Sequence, residues 1–251
     1  MIEYIFFFIA EGEFPFLIIA MLILVILFTN RSCCGWICPI GTIQDALLAI
    51  RTKKTKKIKT VKPKAHKAWL NLKFFIVILI VIIIVPLGVT KTTNLLFYFQ
   101  YKQNLGAMGQ KPESYFSLSE YIFVFLPNKI KEMWNAKGVQ PIFSDFWVFF
   151  IFVFYLILIL VAIKIPRVYC RYFCPFAAVS SAISEYSFLK LSRSPVKCVG
   201  RAACGVCERV CPHQIRILDE PFEVFSGRGE CDFCLKCRER CPYEAITIKF
   251  G

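Results

Sequence analysis

Three long apolar stretches dominate the pattern of hydrophobic and polar positions along this chain. They run roughly over residues 14–28, 70–89 and 146–165. The last two contain about 20 residues each, enough for a helix rising about 1.5 Å per residue to cross a hydrocarbon core of about 30 Å. The pattern therefore predicts three transmembrane helices. Residues 2–10 are also apolar but end at Glu11, so they could extend the first span, lie at the membrane interface or dip into the protein.

The loop between the first two spans is strongly basic. Residues 51–67 contain nine Lys and Arg and no acidic residue. Because basic loops are retained on the cytoplasmic side, we predict a multi-pass protein of the cell membrane with this loop and the chain after the third span in the cytoplasm. No Lys or Arg precedes Arg31, which argues against a cleavable signal peptide. The loop could also bind anionic lipid or an acidic redox protein, whereas nucleic acid fits poorly beside a membrane helix.

Composition agrees with a membrane protein and adds thirteen cysteines to the picture. Hydrophobic residues make up 57% of the chain, and its mean hydropathy is +0.58. Every cysteine lies in residues 33–38, 170–174 or 198–241. All three groups fall on the predicted cytoplasmic side, which is reducing, and such grouping is typical of metal ligands and not of disulfides.

The last group contains the pattern C-x2-C-x2-C-x3-C-P, which binds a cubane iron–sulfur cluster. Its members are Cys231, Cys234, Cys237 and Cys241. A related run begins about thirty residues earlier with Cys204, Cys207 and Cys211. Arg201 stands where its first cysteine is expected, and the nearest upstream thiol is Cys198. If Cys198 cannot reach, that cluster would have only three protein ligands.

This duplication is the plan of bacterial-type two-cluster ferredoxins, with the IRIL and AITI segments after the two runs predicted as short strands. In such folds the fourth cysteine of each run ligates the other cluster. We therefore predict two [4Fe-4S] clusters, one held by Cys211, Cys231, Cys234 and Cys237, the other by Cys198, Cys204, Cys207 and Cys241. A pair of four-cysteine zinc sites is the alternative, although zinc ribbons usually space their C-x-x-C pairs more widely.

A nine-residue segment also occurs twice, each time after a predicted span. RSCCGWICP (31–39) and RVYCRYFCP (167–175) share an arginine and the motif C-x3-C-P. Apolar residues recur at helical spacing after each proline, which predicts two short amphipathic helices. The aligned cysteines are Cys34, Cys38, Cys170 and Cys174.

A helix start favours thiolates and anionic clusters, because its free N–H groups and dipole are positive. We therefore predict that these four cysteines bind a third iron–sulfur centre at the membrane surface. Packing or acylation of the cysteines is the alternative explanation. Cys33 has no counterpart in the second copy and is left unassigned.

The motifs CGWICP (34–39) and CRYFCP (170–175), together with the double cysteine run, resemble the membrane polyferredoxins of the NapH and MauN type. These are relatives of the NosR and cytochrome oxidase assembly ferredoxins. The resemblance implies electron transfer from the quinol pool, or from a cytoplasmic donor, toward a partner redox protein. Family members often have four or more spans, and three are predicted here.

The predicted fold is an α-helical membrane domain over residues 1–189, with about three transmembrane helices, followed by a small α+β two-cluster ferredoxin domain over residues 190–251. Neither histidine lies in a predicted span and no G-x-G-x-x-G motif is present, so haem and nucleotide cofactors are not expected. The favoured function is an electron-transfer subunit of a respiratory oxidoreductase and not a stand-alone enzyme. The alternative is an assembly factor that supplies electrons for inserting a metal such as copper.

Overall fold

The structure is a computed structural model that describes residues 2–55, 61–105, 116–136 and 146–250. The chain divides into two compact units. The first unit comprises Met1–Ile19, Pro63–Lys164 and Val168–Pro175. The second unit comprises Ala20–Lys62, Ile165–Arg167 and Phe176–Gly251. The division into domains at residue 189 stays a prediction.

A single long helix, Pro63–Thr93, organises the first unit. Pro86 lies inside it, and the hydroxyl of Thr90 donates to the Pro86 carbonyl at 2.6 Å. Beyond this proline, the Ile2–Ala10 helix packs so closely that a Cβ at Gly88 would lie 2.3 Å from the Ile9 carbonyl oxygen. The apolar N-terminal segment is therefore a separate helix packed on the long one.

One helix among the described residues is long and apolar enough to cross a membrane. It covers Ala65–Thr93, 29 residues that include an 18-residue window with a mean hydropathy of 3.0. The helices at the other two predicted spans are shorter, Phe16–Thr29 with 14 residues and Phe146–Ala162 with 17. Length and composition therefore support one of the three predicted transmembrane helices. A buried core helix of a soluble protein passes the same test.

The remaining helices of the first unit are Leu95–Leu105, Leu118–Glu120, Leu126–Ala136 and Val168–Tyr172, with a π-helical turn at Tyr121–Phe125. The second unit contains the helix Pro39–Thr55 and most of Pro175–Ser184, each beginning at the proline of a C-x3-C-P motif. Its short helices are Gly200–Ala203, Val206–Val210 and Lys236–Glu239, with a 3-10 turn at Ile217–Asp219.

The two helices predicted after the prolines are thus confirmed, because proline at the first turn loses no intrahelical hydrogen bond. In the first helix Ile40 is buried as expected. In the second, the predicted apolar stripe is only partly buried, and Ala177, Ser181 and Ser184 form the buried face instead.

The second unit contains a two-stranded antiparallel sheet. β1 is Leu189–Arg193 and β2 is Ile246–Phe250, with Leu189 opposite Phe250 and Arg193 opposite Ile246. The AITI segment therefore contributes a strand as predicted. The IRIL prediction was wrong, because that segment enters the 3-10 turn at Ile217–Asp219 and leaves β2 to pair with the segment before the first cysteine run.

The core of the second unit is small and lies between the two cysteine runs. Leu191, Ile217 and Phe225 are each at most 2% exposed, and Phe233 and Ile246 are at most 5% exposed. Cys207 and Cys237 belong to the same cluster. Two predicted ligands are therefore part of the hydrophobic core.

Candidate iron–sulfur sites

Eight cysteines of the tail line two separate cavities in two sets of four. The cavity called here the Cys231 cavity has about 340 Å³ of empty space and is lined by Cys211, Cys231, Cys234 and Cys237. The Cys198 cavity has about 350 Å³ and is lined by Cys198, Cys204, Cys207 and Cys241. Each set takes three thiols from one run and the last thiol of the other run. This is the crosswise arrangement expected from the sequence.

The two cavities arise from a repeated backbone conformation. Gly205 and Leu235 are thirty residues apart and both have left-handed φ angles, of 61° and 58°. Gln214 and Glu244 are also thirty residues apart, and each lies two residues after the proline that ends its cysteine run. Their φ angles are left-handed too, at 54° and 48°. Because side chains other than glycine rarely adopt this conformation, its recurrence at one offset identifies the runs as two copies of one structural unit.

Backbone amides point at the sulfur atoms of the Cys231 cavity. Phe233 and Leu235 are both left-handed, which turns successive N–H groups toward one concavity. The N–H of Phe233 donates to the Cys231 sulfur, and the N–H of Lys236 donates to that of Cys234. In the Cys198 cavity the N–H of Ala245 donates to the Cys241 sulfur at 3.4 Å. Such donors stabilise thiolates and anionic clusters.

Cys198 reaches its cavity despite the irregular spacing of its run. The extra residues between Cys198 and Cys204 form the short helix Gly200–Ala203, and the Cys204 N–H donates to the Gly200 carbonyl oxygen at 3.1 Å. Nη1 of Arg193 lies 3.8 Å from the Cys198 sulfur. The fourth position of this cavity is therefore filled by a thiol.

Burial raises the pKa of four of the eight cavity thiols. It brings those of Cys207, Cys231 and Cys234 to about 11 and that of Cys237 to about 12. In the Cys231 cavity the positive charges of Arg31 and Arg167 act in the opposite direction, on Cys231 and Cys234 respectively. Because a metal binds the thiolate, cluster insertion must release these protons.

Two arginines related by the nine-residue repeat hold the segment that leads into the Cys231 cavity. Nη1 of Arg31 donates to the Gly229 carbonyl oxygen at 3.0 Å and lies 3.4 Å from a Glu230 carboxylate oxygen. Arg167 forms a buried ion pair with Asp232. The repeated arginine is therefore a support for the second cysteine run, a role that the sequence analysis did not assign.

Arg167 also belongs to a wider charged network. It donates to Asp45 from Nη2 at 2.9 Å, and Lys236 donates to the same carboxylate at 3.0 Å. Burial raises the pKa of Asp45, but the bonds and charges of Arg167 and Lys236 outweigh it and hold that pKa below 3.8. Nε2 of His213 lies 3.2 Å from Asp232. His213 is buried.

The first C-x3-C segment packs on the cysteine run itself. Its π-helical turn, Cys33–Ile37, places Trp36 so that the indole N–H donates to the Phe233 carbonyl oxygen at 3.0 Å. A Cβ at Gly35 would lie 2.3 Å from the Asp232 carbonyl oxygen, so only glycine fits there. Trp36 thus fixes the first C-x3-C segment to the second cysteine run.

Both C-x3-C-P motifs close with the same backbone hydrogen bond. The N–H of Cys38 donates to the Cys33 carbonyl oxygen at 2.9 Å, and that of Cys174 donates to Tyr169 at 3.0 Å. Such π-type turns recur at functional sites. Burial raises the pKa of Cys34, while Arg31 lowers it.

Cys34 and Cys38 belong to the second unit, and Cys170 and Cys174 to the first. A third centre on these four thiols therefore stays a prediction. His66, which the sequence assigned to a surface loop, lies in the long helix and contacts the Tyr172 hydroxyl at 2.8 Å.

The residues present fit iron–sulfur clusters. Each cavity offers four soft thiolate donors, an apolar lining and amides directed at sulfur, which are the features that hold such clusters. Among the described residues, no three Cys, His, Asp or Glu side chains converge closely enough to hold a single metal ion.

Comparison with known proteins identifies two segments of the chain. Residues 13–57 and 147–193 match the family described as 4Fe-4S binding domain. These segments contain both C-x3-C motifs. The putative electron transport protein YccM of Escherichia coli is 27% identical over 235 residues, which cover 94% of this chain but 55% of that relative. The chain thus spans about half the length of YccM.

Two further relatives come from archaea. An uncharacterized protein of Methanocaldococcus jannaschii is 25% identical over 248 residues, 97% of this chain and 83% of the relative. A ferredoxin of Methanothermococcus thermolithotrophicus is 34% identical over 53 residues, which are 21% of this chain and 87% of that ferredoxin. No solved structure matches. The chain carries 4Fe-4S binding domains and, through the segment that this ferredoxin matches, belongs to the ferredoxin family.

Proposed function

We propose that this protein is a membrane-anchored electron-transfer protein of the NapH and MauN type. Each bound [4Fe-4S] cluster would accept and release one electron at a time. The electrons would come from the quinol pool or a cytoplasmic donor and pass to a partner oxidoreductase. The chain would serve as a subunit of that system and not as a separate enzyme.

The sorting of eight cysteines into two cavities of four carries this proposal. Cys211 and Cys241, the last thiols of the two runs, each line the cavity of the other run. This exchange is what two-cluster ferredoxins use, and neither disulfides nor two separate zinc knuckles need it. The two cavities also share the core that contains Cys207 and Cys237, so a path for electrons between them would be short.

The membrane anchor is proposed from the long helix and its charged flank. Ala65–Thr93 is long and apolar enough to span a bilayer. The basic residues 51–67 precede it and favour a cytoplasmic position for that end. Three spans, with the tail in the cytoplasm, are consistent with these charges.

The experiment that tests the clusters is anaerobic purification of the full chain, with iron and sulfide counts and EPR. We expect about eight iron atoms for two cubane clusters and about twelve if a third cubane is present. A colourless protein that holds zinc would overturn the proposal.

The third centre has its own test. Replacement of Cys34 and Cys170 by serine should lower the iron count by about four if that centre is a cubane. Cys33→Ser is the matched control, because Cys33 has no counterpart in the second copy of the repeat. An unchanged count in the double variant would exclude the third centre.

The donor is tested by adding a reduced quinone analogue to the purified protein in detergent. Reduction of the clusters, seen as new EPR signals, would support a quinol donor. Clusters that stay oxidised with quinol but are reduced by a soluble ferredoxin would favour a cytoplasmic donor. If neither quinol nor the soluble ferredoxin reduces the clusters, the proposed direction of electron flow is contradicted.

A further inference from the structure

The charges around the two cysteine cavities differ. At the Cys231 cavity the cations are matched by carboxylates: Arg31 lies against Glu230, Arg167 against Asp232 and Asp45, and Lys236 against Asp45. The charges of these three basic and three acidic side chains therefore nearly cancel.

At the Cys198 cavity one buried cation has no such match. Arg193 is 5% exposed and lines the cavity. Its Nη2 donates to the carbonyl oxygens of Leu218 and Glu220 at 3.4 and 3.2 Å, and its guanidinium lies 4.1 Å from the centre of the Phe222 ring. Within the part of the chain that the structure describes, its guanidinium contacts no carboxylate, and Nε has no hydrogen-bond partner.

The other charges near this cavity are solvated or paired with each other. Arg209 donates to the Cys204 carbonyl oxygen at 3.0 Å but is exposed to solvent. Glu208 lies near Cys207, but Arg201 binds its carboxylate with Nη2 at 2.9 Å, and Arg201 also contacts Asp219 at 2.7 Å. The remaining cation, Arg193, points Nη1 at the Cys198 sulfur from 3.8 Å. Burying a cation without a counter-charge is unfavourable, so its location is explained best by an anion in the cavity.

We propose that Arg193 makes the Cys198 cavity the site of higher reduction potential. This inference rests on the proposed function, because it requires a cluster in each cavity. Adding an electron makes a cluster more negative, and a nearby unmatched cation stabilises that form. A hydrogen bond to a ligating sulfur acts in the same direction.

A difference in potential sets the order in which an electron occupies the two sites. A single electron entering the pair resides at the Cys198 cavity, and one that arrives at the Cys231 cavity moves on to it, leaving the first site oxidised again. The Cys198 cavity is also lined by Val199 and Tyr243, which are 45% and 47% exposed. The Cys198 cavity is thus the side from which an electron leaves for a partner.

The test is a potentiometric titration of the purified holoprotein followed by EPR. Wild type should show two midpoint potentials. Arg193→Gln should make reduction at the higher one about tenfold less favourable, which is about 59 mV for a one-electron couple, and should leave the lower one in place. Arg193→Lys keeps the positive charge and should shift the higher midpoint potential less than Arg193→Gln does. Arg216→Gln is the control, because Arg216 is exposed, pairs with Asp219 and lines neither cavity, so both potentials should stay in place.

Iron counts distinguish a failure of the proposed function from a failure of the proposed role of Arg193. Absence of iron in wild type would overturn the proposed function itself. If both clusters are present but neither potential changes in Arg193→Gln, only the role of Arg193 is overturned. A shift of the lower potential alone would have the same meaning. A shift equally large in Arg193→Lys would also overturn it, since the charge would not be the cause.

A second pair of variants keeps the order testable if Arg193→Gln does not retain its clusters. Cys204→Ser changes a thiol of the Cys198 cavity and should alter the higher potential. Cys234→Ser changes a thiol of the Cys231 cavity and should alter the lower one. The reverse pattern would overturn the proposed order.

Discussion

The two cysteine cavities derive from one repeated motif, yet their surroundings differ. Leu191 and Phe225 line the Cys231 cavity and are almost fully buried, and Arg31, Trp36 and Arg167 support the segment beside it. The Cys198 cavity has a partly exposed rim and one buried, unmatched arginine. The spacing of the last three cysteines of each run was duplicated, whereas charge and burial were not. The difference teaches that residues far away in sequence can give two copies of one motif different electrostatic surroundings.

Gly229→Ala should have the largest effect on the difference between the two cavities. Gly229 has a φ of +74°, and a Cβ there would lie 1.9 Å from the Ser181 carbonyl oxygen. Because backbone cannot yield to such a contact, we expect the Cys231 cavity to lose its cluster, lowering the iron count by about four. Gly200→Ala is the matched control, since Gly200 has a φ of +78° but no atom within 4 Å, and left-handed backbone alone costs about 1–2 kcal/mol. Equal iron loss in both variants would contradict this explanation.

Arg167→Leu is expected to have the next largest effect. It would leave Asp232, which is 2% exposed, without its arginine partner. Breaking a buried ion pair costs about 3–5 kcal/mol, so the denaturant midpoint for loss of cluster absorbance should fall markedly. Restoring neutrality with Asp232→Asn should recover part of the loss. Arg201→Leu, at an exposed pair, should cost below about 1 kcal/mol; a similar cost for both arginines would refute the distinction.

Trp36→Phe should have a smaller effect on the same cavity. The variant keeps an aromatic ring but loses the N–H that donates to the Phe233 carbonyl oxygen. One hydrogen bond contributes about 1 kcal/mol, so clusters should remain bound but be lost at slightly lower denaturant concentration. Trp134→Phe, at an 84% exposed position, should leave the midpoint unchanged. A lower midpoint for that control would mean that the indole bond is not the cause.

The smallest expected effect is a pH dependence through Asp45. Its pKa lies below 3.8 in the folded protein, because Arg167 and Lys236 favour the charged form more than burial disfavours it. Its contribution to stability is therefore present above about pH 3.8 and is lost as pH falls through the lowered value. Asp45→Asn should flatten the acid limb of unfolding measured by circular dichroism between about pH 5 and pH 2. Glu244→Gln, at an exposed position, should not flatten it.

Local features of this protein could be predicted from its sequence. The helices after Pro39 and Pro175, the strand at the AITI segment and the long apolar helix follow from proline position, β-branched residues and hydropathy. The crosswise grouping of the eight tail cysteines followed from spacing, because a cubane needs its ligands at fixed separations along the chain. These are short-range constraints that each stretch carries in itself.

Other features depend on packing between distant segments. The IRIL segment failed as a strand because Leu189–Arg193 took the place beside β2. The repeated arginines were visible at positions 31 and 167, but their acceptors at 229–232 lie some 65 to 200 residues away. The charge of Arg193 was readable in the sequence, whereas its lack of a carboxylate partner among the described residues was not. Motif spacing alone predicted which thiols line each cavity, and only the tertiary structure decided which charges surround each one, since burial and pairing depend on residues that meet by folding.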